Sequence, residues 1–298
     1  MRSPVIVAAA LLLSSAALAA DGTPSATRPL KVGVTLHPYY SWTANIVGST
    51  GVEVQPILPG EVDAGDYQPR TEDIQKIASL DAIVVNGVGH DDFIFDMIKA
   101  SGNERIVIIR PNEGVPLLKA ANGGTVNSHT FISFSNAIQQ TYAIARALSA
   151  LRPDLAPTFQ ANAADYARRL RAIKSKAAEQ LVDARVNRVV TVHDGYGYLM
   201  QEFGIDIAGV VEPAHGLIPS AKELGTMVDL LNREHIQVVF AEESFPEPLL
   251  KVLRDEGHAR VYIISHIASG TYTPDKFEVE MQKNVDSMVK ALKTDQPG

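Results

Sequence analysis

The 298-residue chain contains no cysteine. A disulfide framework and a thiolate zinc cluster are thereby excluded, and a leader cleavage site without cysteine is expected to carry no lipid. An HExxH pair is also missing, and the GVG at 87–89 is too short for a nucleotide fingerprint. No run of histidines and acids forms a mobile loop. Basic residues are in deficit, 27 Lys and Arg against 34 Asp and Glu, for a net charge of −7. With no basic patch interleaved with aromatics, no nucleic-acid partner is expected. Past the N-terminal segment there is no long apolar run, so a soluble mature protein is expected.

What is there begins with MRSPVIVAAALLLSSAALAADG. Arg2 gives a positive start, Val5 to Leu18 an apolar core, and Ala17-Leu18-Ala19 a small-residue cleavage site. This is a secretory signal over residues 1–20, too short to span a membrane. A bacterial periplasm is the expected destination. Residues 21–28 read as a flexible lead-in, and the roughly 275 residues left suggest about two domains.

The first half alternates β-branched runs with amphipathic stretches. LKVGVTL (30–36), VEVQPIL, DAIVVNG and RIVIIR read as strands, separated by helical patterns such as TEDIQKIASL and FIFDMIKASG. The second half repeats this with RVVTV, IDIAGVV, QVVFAE and RVYIIS, and DKFEVEMQKNVDSMVKALK closes the chain as a helix. Such alternation predicts βαβ units and parallel sheets. Ser220 and Glu223 predict a capping box. Phe159, Ala163, Tyr166, Leu170, Ile173, Ala177 and Leu181 fall on one helical stripe. At 1.5 Å per residue these positions span about 33 Å, long enough for a rigid spine along both lobes. The expected division is an N-terminal α/β lobe over 29–135, a helical region over 136–186 with the spine, and a C-terminal α/β lobe over 187–298. The cleft lies between the lobes.

Ligands of open parallel sheets bind at the carboxyl ends of strands. His235 and His258 precede strands and read as surface residues. His37, His193 and His266 follow strands directly, and His129 enters the helical region. His90 and His215 follow strands after glycines or prolines. Histidines converging on one cleft fit a metal site, because neutral imidazole is a common transition-metal ligand. Asp194 reads either as a partner orienting an imidazole or as a helix N-cap. Gly195 and Gly197 fit a tight strand-to-helix turn, and Trp42 with Tyr39 and Tyr40 fits helix packing.

Four segments carry a family resemblance: LPGEVDAGDYQPRTEDIQKIASLDAIVVNG, SHTFISFSNA, TVHDGYGYLMQEFGI and DLAPTFQANAADYARRL. Together they resemble the zinc/manganese-type solute-binding receptors of bacterial metal ABC importers, over nearly the whole mature chain. The resemblance implies two Rossmann-like lobes, a long backbone helix and a metal buried between lobes. The family's second and third histidines fall on His129 and His193. Its first falls on Gly65, which has no ligating side chain, and its final aspartate falls on or beside Ser265. His37 and His266 stand next to these two gaps. The expected metal set is therefore His37, His129, His193 and His266, with Asp66, Glu242 and Ser265 as alternatives. An imidazole set favours Zn²⁺ and leaves Ni²⁺, Cu²⁺ and Mn²⁺ open. The resemblance also implies no catalysed reaction and a partner permease in the inner membrane, and a monomer is expected.

Two other readings stand beside this one. The same fold with two family ligands missing could hold a metal chelate or a small organic solute. A metallohydrolase would need an open coordination position and a base such as Glu242 or Glu243.

Overall fold

The β-branched run at 31–34 forms strand β1 (Lys31–Val34), with Val32 and Val34 fully buried. It pairs in parallel with β2 (Glu53–Pro56) and β3 (Ala82–Val84), and β3 pairs with β4 (Val107–Ile109). A second parallel sheet contains β5 (Arg188–Thr191), β6 (Asp206–Val210), β7 (Val238–Ala241) and β8 (Arg260–Ile263). The orders are β2-β1-β3-β4 and β6-β5-β7-β8, the same topology twice. Helices cover both faces of such sheets, so central strands such as β7 read as unbroken apolar runs. This computed structural model describes residues 28–121, 123–124, 126–212 and 216–293. The predicted leader at 1–20 and His215 lie outside the described residues.

The helices are α1 (His37–Val47), α2 (Thr71–Ala78), α3 (Phe93–Ala100), α4 (Phe134–Leu151), α5 (Ala156–Leu181), α6 (Gly197–Glu202), α7 (Ala221–Arg233), α8 (Glu247–Asp255) and α9 (Lys276–Lys293). The capping box of α7 forms as its sequence predicts. The helical region holds two helices, because Pro153 interrupts it and has no N–H to continue the ladder. IDIAGVV forms β6 with a bulge, so Val190 pairs with Gly209 and not with Ala208.

The predicted spine is α5, 26 residues long and therefore about 39 Å. Its stripe is buried at Phe159, Ala163, Tyr166, Leu170, Ala177 and Leu181, with Ile173 partly covered. It packs on α1, α4 and α9. Arg169 ties three of these together, pairing with Glu278 at 2.7 Å and Asn45 Oδ1 at 2.6 Å. Trp42 meets Tyr39 and Phe277 edge-on at 5.3 and 5.2 Å, so the only tryptophan fills the α1–α9 seam. The last helix thus returns to the first lobe. The chain between β8 and α9 must cross the cleft to reach it.

Candidate metal centre

In each sheet the strand order reverses at a central pair, β1 and β3 in the first, β5 and β7 in the second. A crevice opens at the carboxyl ends of such a pair. Thr35 to His37 follow β1, Asn86 to Asp91 follow β3, His193 follows β5 and Glu242 follows β7. Glu212 follows β6, and Asp63 lies in the loop after β2.

His193 is buried, and its Nδ1 lies 2.9 Å from Glu212 Oε2. A carboxylate only accepts, so Nδ1 donates and Nε2 keeps its lone pair. His129 repeats this logic. Asn127 Oδ1 accepts from the backbone N–H of His129 at 2.9 Å and faces its Nδ1 at 3.2 Å. Nδ1 again donates, and Nε2 again keeps a lone pair. The two Nε2 atoms are 2.9 Å apart. Two lone pairs at that distance repel unless a positive centre lies between them, either a proton or a metal ion. Zinc–nitrogen bonds of about 2.05 Å at a tetrahedral angle need a gap of about 3.3 Å. The present gap is a few tenths of an ångström short of that.

His266 occupies the opposite side. Its Nε2 lies 2.6 Å from Asp63 Oδ2 and its Nδ1 2.8 Å from Glu242 Oε1. Burial disfavours the charged ring, but the carboxylates of Glu242 and Asp63 overcome it and raise the pKa to about 10. The same contact holds Glu242 below the ordinary carboxylate range, against its burial. Tyr196 O–H donates to Glu242 at 2.8 Å. His90 completes the group, its ring 4.9 Å from that of His129 and its Nε2 3.7 Å from Asp63 Oδ1. Three carboxylates therefore share a largely buried pocket with one imidazolium, an excess of negative charge suited to a dication.

Local backbone explains these placements. The turn carrying His90 uses Gly87 and Gly89 at φ of 67° and 107°, where a side chain would be strained. Asp91, fully buried, closes that turn by accepting from Thr35 Oγ1, Asn86 N and Gly87 N at 2.5, 2.7 and 2.9 Å. Burial pushes its pKa up against those bonds. After His266, Ile267 has φ of 61°, a left-handed conformation that strains a β-branched residue. It is held there by burial and by its N–H donating to Ser265 Oγ at 3.0 Å.

Of the predicted residues, His129, His193 and His266 come together, with ring centroids 4.7, 5.0 and 6.2 Å apart. Glu242 joins them: donor atoms of His193, Glu242 and His266 all lie within 4.8 Å of one another. His37 is placed differently. Its ring stacks on Tyr272 at 3.8 Å, and its Nε2 donates to Gly60 O at 3.0 Å. Its Nδ1 is buried with no hydrogen-bond partner. Burial lowers its pKa to about 4, although the Gly60 bond opposes the shift. Asp66 is exposed on the 3₁₀ turn Ala64–Asp66, beside Gly216. Ser265 spends its backbone on Asn284, whose side chain it meets at 2.8 and 2.7 Å. Asp194 neither caps α6 nor orients a ring; it accepts from Ala121 N at 2.7 Å.

Sequence reasoning passed over His90, Asp63 and Glu212. The strand-end rule placed His90 after a strand without bringing it into the expected set, and would have found Glu212 had it been applied to acids as well as imidazoles. Asp63 stands two positions before Gly65, where the family pattern has its first histidine, and only the folded loop brings its carboxylate to His266.

The profile of the family described as "Zinc-uptake complex component A periplasmic" matches residues 32–291. Zinc-binding protein AdcA of Streptococcus pyogenes serotype M3 is 27% identical over 300 residues, covering 90% of this chain and 57% of the relative. The chain thus spans little more than half the length of that relative. The solute-binding protein FpvC of Pseudomonas aeruginosa, solved in complex with Mn²⁺, is 43% identical with a TM-score of 0.84, over 89% of this chain and 98% of that one. The same protein solved with Ni²⁺ gives a TM-score of 0.83 at 43% identity, over 89% and 97%. ZnuA, at 20% identity and a TM-score of 0.77 over 88% and 99%, shares the fold.

Proposed function

Because the chain belongs to the family of periplasmic zinc-uptake components, we propose that it is a receptor that captures a divalent transition-metal ion and hands it to the permease of an ABC importer. Zinc is the proposed cargo, with Mn²⁺, Ni²⁺ and Cu²⁺ as competitors. The ion would be gripped by Nε2 of His129 and of His193, by His266, and by a carboxylate of Glu242 or Asp63. That set is four-coordinate and closed, as retention requires, with no open position for an activated water. Glu212 and Asn127 would hold the two rings in the ligating tautomer. The observation that carries the reading is the approach of the Nε2 atoms of His129 and His193 to 2.9 Å in a pocket that also holds His266, Glu242, Asp63 and Glu212.

Residues 1–20 would direct export to the periplasm, where the protein would act as a monomer without a lipid anchor. Lobes at 29–135 and 187–298 and a helical region at 136–186 would frame the site, and no reaction would be catalysed. The family's zinc-uptake role supports transport over chemistry. A second reading draws on an open cleft of about 520 Å³ that shares Glu242 and His266 with the centre and also has Lys276, Lys283 and Asn284 on its wall. A metal chelate would place its ion on His266 and Glu242 and its ligand in that cleft.

The test is calorimetric titration of metal-stripped protein with zinc, wild type beside His193→Ala and His37→Ala. One-to-one binding lost in His193→Ala and kept in His37→Ala is the expected result. Loss in both would return His37 to the shell through its unpartnered Nδ1. No binding of zinc, manganese or nickel by the wild type would defeat the free-ion reading and favour the chelate. Imidazole ligands must shed protons to bind, and His266 of the metal-free protein holds its proton up to about pH 10, so affinity is expected to fall as pH drops from about 10.

A further inference from the structure

We propose that Glu202 is a positioning residue for metal capture, a carboxylate that bolts the turn carrying His193 to the helix that follows His129. The proposal rests on the receptor reading above and adds to it the residue that sets the gap the ion must enter. Glu202 makes no contact with the metal-binding side chains; it acts through backbone.

A helix begins with backbone N–H groups that have no intrahelical acceptor. In α4 the Ser133 hydroxyl accepts from Asn136 N at 3.1 Å. The first two N–H groups of the helix proper, of Phe134 and Ser135, donate across the lobe boundary to Glu202 at 2.8 and 2.6 Å. Lys174 of the spine adds a bond to Glu202 at 3.1 Å and one to Ser135 Oγ at 2.6 Å. The Glu202 side chain is only 9% exposed. Negative charge at a helix N-terminus is favoured by the helix dipole, and here a cation on a third element reinforces it. One side chain thus joins α4, α5 and α6.

The seam continues on the other side of the histidines with uncharged donors. Asn127 Nδ2 donates to Asp194 O at 2.6 Å, Tyr198 O–H to Asn127 O at 2.8 Å, and Leu118 N to the Tyr198 hydroxyl oxygen at 3.0 Å. His129 lies between Asn127 and Phe134, so the seam brackets it, and His193 immediately precedes Asp194, where the seam begins on the second lobe. The Nε2 gap it holds, 2.9 Å, is close to the about 3.3 Å a tetrahedral ion needs. Removing the bolt would let the start of α4 slide against α6 and leave that gap unset.

The experiment is zinc titration of the metal-stripped full chain as wild type, Glu202→Ala, Glu202→Gln and Leu253→Ala. Leu253 is buried in α8, away from the seam, and its truncation lowers stability alone. Zinc dissociation into a chelator and amide hydrogen exchange at Phe134 and Ser135 are read on the same samples. Glu202→Ala is expected to weaken zinc binding about tenfold or more, as loss of an outer partner does, with faster dissociation and faster exchange of both amides. Glu202→Gln, which keeps one accepting oxygen, is expected to fall between, and Leu253→Ala to keep wild-type affinity. Wild-type affinity in Glu202→Ala with both amides exposed overturns the proposal. So does an equal loss in Leu253→Ala. If Glu202→Ala does not fold, wild-type affinity and dissociation rate in Glu202→Gln overturn it. A wild type that binds no zinc defeats the receptor reading and the bolt with it; a wild type that binds beside an unimpaired Glu202→Ala defeats the bolt alone.

Discussion

His129 and His193 sit on segments stitched together by side chain–backbone hydrogen bonds, whereas His266 is itself held between two carboxylates. On the first side each ring has one nitrogen fixed by Asn127 or Glu212 and the other turned into the gap. On the second side both nitrogens of His266 face carboxylates, Asp63 from one lobe and Glu242 from the other. The strap carrying His266 is also strained at Ile267, and it is tied to the first lobe by Gly270 N to Gly60 O at 2.7 Å, Ser41 Oγ to Thr273 O at 2.9 Å, Asn45 Nδ2 to Pro274 O at 2.7 Å, and Tyr272 packed on His37 and Tyr40. One side sets a distance by geometry. The other balances charge, and there an arriving dication takes over the role of the imidazolium proton.

The largest effect is expected from breaking the geometric side at its centre. His193→Ala removes a proposed ligand and its contacts with Glu212 and His129, so zinc affinity is expected to fall beyond the about 10–100-fold that loss of an outer partner costs; calorimetry measures it. Glu212→Gln leaves the ring but replaces its fixed acceptor with an amide that can turn either way, and a loss within that about 10–100-fold range is expected in the same titration.

The charge side is broken by pH. His266 has a folded pKa of about 10 against an ordinary 6.5. Its stabilisation of the metal-free protein is therefore fully present below about pH 6.5 and is lost as the pH rises through about 10. Thermal melts of metal-free wild type and His266→Gln are expected to differ most at or below about pH 6.5 and to converge toward about pH 10. His37 has the opposite sign, with a folded pKa of about 4, and opposes folding as pH falls through the interval between the two values. The smallest effect is expected from Ser265→Ala. It leaves the Ile267 N–H without its acceptor and costs about 1 kcal/mol of stability in a denaturant melt, while zinc affinity stays within a factor of two, about 0.4 kcal/mol.

Much of this was legible before folding. Short apolar runs and period-3.6 patterns depend on neighbours a few residues apart, so strands such as β7 and the stripe of α5 could be read directly. The strand-end rule likewise located His193, because a parallel sheet sends every strand's carboxyl end to one edge. Less legible was which strand ends meet. His37 and His90 both follow first-lobe strands. Residue type does not distinguish them, but in the fold His90 turns toward His129 while His37 turns to Gly60 and Tyr272. Glu202 carried no local signal at all, since its partners are the unsatisfied amides of a helix far away in the chain.

The sequence by itself determined two repeated α/β lobes, a spine to join them, and a concentration of imidazoles at strand ends. Those follow from local periodicity and from the chemistry of each side chain. Only the tertiary structure decided that Asp63 and Glu242 share His266, that Glu212 and Asn127 set the tautomers, and that two Nε2 atoms meet at 2.9 Å. Apart from the Asn127–His129 pair, those contacts join residues from 19 to 203 positions apart, and their geometry is set by how the lobes pack on the spine.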